Sequence, residues 1–379
     1  MSGIYIHIPF CKQACSYCDF YFVTKHQQKS EFVDVLIKEI TSKKNTSYTK
    51  EPIHTLYFGG GTPSLLAPTQ IEQILIALDN TFSLELQECT IELNPDDVTK
   101  EYLFQLKALG VTRASMGIQT FDEELLQIMH RVHNRKEAIH CFELLAQEGF
   151  ESFSVDLIYG NPNQSIEMLK KDLELLCSFK PPHVSAYSLT IEDGTRLAKQ
   201  LALGRVIPLE DDKVAQHFKL VQNILKDHGI EQYEVSNFAK QGFEAKHNSL
   251  YWSHQNYIGF GPGAHSFWWD EHRKSANRWN KKRDLNFYLN GGWVSNFEDE
   301  ELILSTLAEE RLMLGLRTRK GINLKEMKDT YNFSFSESQI RYLENKSKEN
   351  LLLFNSTQLL LTGKGLLIAD LIVLDLNTV

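Results

Sequence analysis

Six strand-like runs alternate with helix-periodic stretches between residues 4 and 189, and this alternation narrows the fold more than any other feature. The runs are residues 4–8, 55–58, 89–93, 112–117, 153–158 and 183–189. The first interval carries a helical stripe of Phe32, Val33, Leu36, Ile37 and Ile40 behind Ser30, which reads as an N-cap. Helical stretches follow at residues 68–78, 99–109, 122–129, 135–147 and 164–178, the second of these stopped by Gly110. Strands connected through helices lie parallel in one sheet with right-handed crossovers. The chemically unusual residues fall just beyond strand ends, as they do at the open face of a barrel. The expected fold class is therefore α/β, a partial barrel of six βα units.

The first strand leads directly into Cys11, Cys15 and Cys18, spaced C-x3-C-x2-C. Three thiolates on one short irregular loop can hold three corners of a [4Fe–4S] cluster and leave the fourth iron open to a small molecule. Structural zinc usually takes four ligands, commonly as two pairs. Cys89, Cys141 and Cys177 are scattered singles, which leaves His7 as the candidate fourth zinc ligand. A disulfide framework does not suit a long chain with few cysteines and no basic leader ahead of them.

A second group of residues stands at the later strand ends. The second strand runs into Gly59-Gly60-Gly61-Thr62-Pro63, which either brings backbone N–H groups close to a ligand or simply makes a tight turn. Glu92 ends the third strand, Gln119 extends the fourth, and Arg131 precedes a helix. Asp156 is the lone charge in an apolar strand, where an unpaired carboxylate costs several kcal/mol. It therefore needs a specific partner, either a ligand or a structural cation.

The composition is that of an ordinary globular chain, 42 % hydrophobic and 23 % charged, and 379 residues allow two to three domains. A net charge of −9 argues against nucleic acid as the main partner. No apolar run is long enough to span a bilayer. Oxidisable thiolates without an export signal point to the cytoplasm.

Beyond residue 235 the pattern changes. His247-Asn248-Ser249-Leu250-Tyr251-Trp252 combines an imidazole with flat aromatic surface, suited to a haem or to a packed strand edge. The glycine-rich stretch 259–266 reads as a tight loop, with His265 as a second imidazole; Trp268, Trp269 and Trp279 read as core. Residues 299–315, 322–331 and 336–346 read as helices, and short strands are expected at 351–354 and 358–361. The expected domains are a core at 1–235, an extension at 236–295 and a small helical, winged-helix-like domain at 296–379.

Taken together, the cysteine triplet with Tyr5 ahead of it, the GGGTP loop, Glu92, Gln119, Arg131 and Asp156 resemble the radical S-adenosylmethionine (SAM) proteins. The opening YIHIPFC and the run DLIYG from Asp156 narrow the resemblance to one branch. That branch holds oxygen-independent coproporphyrinogen III oxidase and the HemW haem chaperones, and the likeness covers most of the chain. It implies a radical SAM barrel with a [4Fe–4S] cluster on Cys11, Cys15 and Cys18 and SAM chelating the free iron. It further implies that Gly60, Gly61 and Thr62 hold the methionyl end, and that Glu92 accepts from the ribose hydroxyls or the amine. Arg131 is then expected on the carboxylate, Asp156 on the ribose, Gln119 in the polar lining, and Tyr5 near the cluster or the methionine. Reductive cleavage to a 5′-deoxyadenosyl radical is the chemistry such sites support.

Within that branch, two departures separate this chain from the oxidase pattern. Phe20 stands where the oxidase has a further cysteine, and Cys11 follows only ten residues where the oxidase carries a long extension. The hexapeptide at His247 matches the H-N-x-x-Y-W signature of the haem-chaperone branch. The implied function is binding of haem, with His247 as a cofactor ligand, and its delivery to acceptor haemoproteins, membrane-associated ones among them. An electron donor for the cluster is also implied. The alternative is oxidative decarboxylation of a porphyrinogen propionate.

Overall fold

The computed structural model describes residues 1–150, 152–270 and 272–378. Six parallel strands form its centre: β1 (Ser2–Ile8), β2 (Ile53–Gly60), β3 (Leu84–Leu93), β4 (Arg113–Gln119), β5 (Ser152–Tyr159) and β6 (His183–Ser188). They lie side by side in chain order. Between them run α1 (Lys29–Thr41), α2 (Pro68–Asp79), α3 (Lys100–Ala108), α4 (Glu123–Ile128), α5 (Arg135–Gln147) and α6 (Ile166–Ser178). The partial barrel is thus borne out. Ser30 is not the N-cap of α1; the helix starts a residue earlier, at Lys29, behind Gln28. By contrast Thr99, Asp122, Asn134 and Ser165 cap their helices by accepting from N–H groups of the first turn.

Strand alternation divides the side chains into two sets. Ile4, Ile6, Ile8, Leu56, Phe58, Ile91, Met116 and Val155 are buried with Phe32, Leu36, Ile71, Leu103 and Phe142 of the surrounding helices. The opposite face is polar. Registered pairing sets Tyr57 beside Tyr5, Ser115 beside Glu92, Asp156 beside Gly117 and Ser185 beside Asp156. A barrel held together only by packing fills its interior with branched apolar residues. This lumen is instead built to meet something polar.

After α7 (Arg196–Ala202) and α8 (Asp211–Asp227), the short strands β7 (Glu231–Gln232) and β8 (Asn237–Ala239) continue the sheet past β6. Helix α9 (Lys246–Trp252) follows, and β9 (Asn256–Phe260) then returns to the other edge and pairs parallel with β1. Antiparallel β10 (His265–Trp269), β11 (Ser275–Asn280) and β12 (Glu298–Ile303) complete a sheet of twelve strands, with α10 (Leu285–Leu289) between the last two. The edge strands β12 and β7 do not pair, so the barrel stays open.

The expected helix at 299–315 begins as strand. Glu298–Ile303 pairs with β11, and α11 (Leu304–Leu316) begins only afterwards. An acidic run ahead of leucines resembles a helical first turn. At a sheet edge the same charges face water and discourage further pairing. Residues Ile322 and Asn323, expected as helix, form β13 (Ile322–Asn323); α12 (Leu324–Tyr331) starts after them. Then come α13 (Glu337–Lys348), β14 (Leu352–Phe354), β15 (Gln358–Leu361), α14 (Gly363–Leu366) and α15 (Ala369–Thr378). Helices α11, α12 and α13 with the sheet order β13-β15-β14 make a winged-helix-like arrangement, which α14 and α15 follow. Its core joins the barrel sheet, because Leu307, Leu312, Leu352 and Leu359 share a buried cluster with Phe267, Trp269 and Ala276.

Candidate functional site

The three cysteines sit on the loop after β1, all free and partly exposed. That loop is tethered on every side. Lys12 pairs with Asp96 at 2.7 Å and also with Asp97, while Ser16 donates from its backbone to Met129 O at 3.0 Å and from Oγ to Ile128 O at 2.9 Å. Cys11 N donates to Val23 O, and Ser16 O accepts from Leu197 N. Such anchoring holds thiols in place before any metal arrives. Burial pushes the Cys11 thiol up to about 11 and Cys18 up to about 12, so metal binding must displace protons. Among the described residues no three His, Cys, Asp or Glu side chains converge on a single ion. A cubane places each thiolate on a different iron and wants them further apart.

The glycine loop is required sterically. Gly60 has φ +107°, and a Cβ there would stand 2.5 Å from the His7 ring; a Cβ on Gly61 would stand 2.7 Å from both Ile8 O and Phe10 O. Its N–H groups, however, are not offered to a ligand. Gly60 N donates to Glu92 Oε2, Gly61 N to Ile8 O and Thr62 N to Phe10 O. The donor role read from the sequence is thereby corrected: this loop has acceptor oxygens to give, which suits an ammonium. Thr62 Oγ1 lies 3.5 Å from Cys11 Sγ, joining loop to cluster cysteine.

Arg131 ties the other wall together. Its Nη2 donates to Asn94 Oδ1 and to Gly117 O, each at 2.7 Å, and Nη1 lies 3.4 Å from Cys15 Sγ. Its buried Nε has no partner among the described residues. Gln119 ends β4 at a bulge with φ +70°, a conformation that strains a residue with a Cβ and is tolerated mainly where function requires it. Its amide folds back over Gly117, where a Cβ would stand 3.0 Å from Gln119 Nε2 and 3.3 Å from Arg131 Nη2.

Glu92 accepts from Tyr57 OH at 2.8 Å and from Gly60 N at 3.1 Å. Burial raises its carboxyl to about 7, against the lowering effect of those hydrogen bonds. Asp156 is likewise raised by burial, with Ser185, the Arg113 charge and Ser115 opposing; Ser115 Oγ lies 3.4 Å from both of its oxygens. Gly60, Gly61, Thr62, Glu92, Gln119, Arg131, Asp156 and Cys18 all line one cavity of about 570 Å³. Phe20, 68 % exposed, stands on its rim.

Two expected residues are not on that wall. Tyr5 faces into the barrel but lies a layer deeper, stacked on Tyr57, with its hydroxyl 3.3 Å from His7 Nδ1. His247 is buried completely. Its hexapeptide is helix α9 rather than a strand edge, and α9 plugs the N-terminal end of the barrel. Glu88 accepts from the N–H groups of Lys246 and His247, each at 2.9 Å, at the start of that helix. The imidazole bonds Thr55 Oγ1 through Nδ1 and Tyr251 OH through Nε2, both at 2.8 Å, and stacks on Tyr57. An axial haem ligand needs one ring nitrogen open to the iron, and here both are committed. His247 therefore braces the floor under the Tyr57–Glu92 pair, and burial lowers its pKa to about 3. The exposed His265 does not share this enclosure.

Sequence reading missed Tyr57, Arg113, Ser115, Ser185 and Tyr187, and named Asn248 only within the hexapeptide at His247; all six line the cavity. Strand parity was the signal for most of them: Tyr57, Ser115 and Ser185 register beside Tyr5, Glu92 and Asp156, and Arg113 and Tyr187 share the inward parity of Ser115 and Ser185 on their own strands.

Residues 5–176 match a family model described as the Radical SAM superfamily, and residues 304–368 match one described as the HemN C-terminal domain. The fold resembles that of coproporphyrinogen III oxidase (HemN) from Escherichia coli, with a TM-score of 0.83 over 100 % of this chain and 90 % of that one, at 20 % identity. Bacillus subtilis heme chaperone HemW is 33 % identical over 375 residues, spanning 98 % of this chain and 97 % of the relative. The Lactococcus lactis heme chaperone HemW is 35 % identical, over 96 % and 94 % of the two chains. Three free thiols on an anchored loop, an acceptor-lined glycine cradle and a half-satisfied Arg131 fit the cluster and SAM that the superfamily implies. By near-full-length similarity and by site geometry, the chain belongs to the HemW family of radical SAM proteins.

Proposed function

We propose that this protein binds haem and passes it to haem-requiring acceptor proteins, while carrying a [4Fe–4S] cluster on Cys11, Cys15 and Cys18 with SAM at the fourth iron. The observation that carries the reading is end-to-end similarity to proteins named heme chaperones, reinforced by Phe20 where the oxidase pattern has a cysteine. Held by Cys11, Cys15 and Cys18, a reduced cluster would supply one electron to the sulfonium. The chain's own residues bind, orient and exclude water. Acceptor oxygens of the Gly60–Thr62 loop take the methionyl ammonium, Arg131 the carboxylate, and Glu92 and Asp156 the ribose hydroxyls. Gln119 closes the wall between them. Among the described residues no helix is long and apolar enough to cross a membrane. Delivery to a membrane-bound acceptor would then rest on docking at its surface, in the cytoplasm.

Haem titration of the purified protein, with and without its cluster, tests the reading. Saturable binding followed by transfer to an apo-haemoprotein supports it; no binding removes it. Incubating the reduced holo-protein with coproporphyrinogen III decides against the chaperone reading if protoporphyrinogen accumulates.

A further inference from the structure

Three cationic side chains are buried among the described residues: Arg113, Lys281 and Arg311. Two of them are fully engaged. Lys281 donates to Trp293 O at 2.7 Å and to Asn296 Oδ1 at 3.1 Å beside Glu39, and Arg311 pairs with Glu326 at 3.3 Å. Arg113, 3 % exposed, makes no side-chain hydrogen bond or ion pair among the described residues, and its Nε is buried without a partner there. Its charge is felt by Glu92 and Asp156, but their oxygens are engaged by Tyr57, Gly60 and Ser115 instead. A desolvated guanidinium with idle donors costs several kcal/mol unless something accepts from them.

Arg113 opens onto the cavity. It stands four residues before Gly117, whose carbonyl holds Arg131, and so lies about 13 Å deeper along β4 at the strand rise. The cluster end and the Arg113 end are therefore separate places in one chamber. Asn248, on the helix that plugs the barrel floor, lines the same cavity and also makes no side-chain hydrogen bond among the described residues. Tyr57 and Tyr187 supply aromatic walls. Planar guanidinium and amide donors facing one space suit a planar oxyanion.

We propose that Arg113 and Asn248 form a carboxylate-binding subsite at the barrel floor, distinct from the SAM carboxylate position at Arg131. The carboxylate has two sources: a propionate arm of a tetrapyrrole, in which case the inference rests on the haem reading above, or a free small carboxylic acid. The test compares full-length, cluster-loaded wild type with Arg113→Gln, using succinate, iron protoporphyrin IX and its dimethyl ester as probes. A tetrapyrrole source predicts that Arg113→Gln weakens haem tenfold or more and leaves the dimethyl ester unchanged. A small-acid source predicts tenfold weaker succinate with haem unaffected. If Arg113→Gln does not fold, Asn248→Leu serves, with a loss of threefold or more expected on the same probe. Equal affinities for succinate and for haem in wild type and variant would overturn the subsite. Failure of wild type to bind haem at all sinks the chaperone reading, and the succinate arm still decides the subsite.

Discussion

Replacing His247 by alanine separates a structural imidazole from a haem ligand. The substitution strands Thr55 Oγ1, which is fully buried, and the Tyr251 hydroxyl, each 2.8 Å from the lost ring. A buried polar group left unpaired costs about 1–3 kcal/mol. The void beneath Tyr57 adds a cavity cost of roughly 2 kcal/mol. With the hydroxyl terms at their lower bound the total is about 4 kcal/mol, a fall in Tm of roughly 5 °C for a chain of 379 residues. Calorimetry on wild type and His247→Ala measures this directly. Haem titration of the same two proteins, well below the lower Tm, should give the same Soret position and affinity. A Tm within about 1 °C of wild type (roughly the shift of 1 kcal/mol or less) together with a moved Soret band would refute the reasoning and restore His247 as ligand.

Three other outcomes are expected. Tyr57→Phe removes the 2.8 Å donor to Glu92, so the carboxyl should titrate about one unit or more above its present value near 7; the pH midpoint of SAM binding should rise with it, and an unmoved midpoint counts against the pairing. Glu92 binds its proton more tightly folded (about 7) than at its ordinary 4.5, so its contribution to stability is complete below pH 4.5 and is lost as pH rises through 7. Urea denaturation should therefore show wild type losing about 3 kcal/mol relative to Glu92→Gln across that window, and a constant difference would contradict it. Alanine at Cys11, Cys15 or Cys18 should abolish the cluster's broad visible absorbance, whereas Cys89→Ala, buried in the barrel wall, should keep it.

Much of the site was readable before any coordinates because its members occupy one repeating place, the C-terminal end of a parallel strand. Gly60, Glu92, Gln119 and Asp156 each lie at or near such an end, and the thiols follow the first strand. What failed was contact across distance. Helix α9 was taken for a haem motif or a strand edge because nothing near it reveals Glu88 or Thr55 as its partners, about 160 and 190 residues away. Residues Glu298–Ile303 carry a helix-like composition, and only the neighbouring β11 makes them a strand.

By itself, then, the order of residues determined the six βα units, the thiolate triplet and the placement of polar groups at strand ends, because those follow from short-range periodicity and spacing. Tertiary structure alone decided that Arg113 lies in the lumen without a hydrogen-bond partner among the described residues, that His247 is sealed beneath Tyr57, and that the glycine loop has spent its N–H groups. Each of these depends on which distant backbone or side chain fills the space beside it, and a linear pattern carries no measure of that proximity.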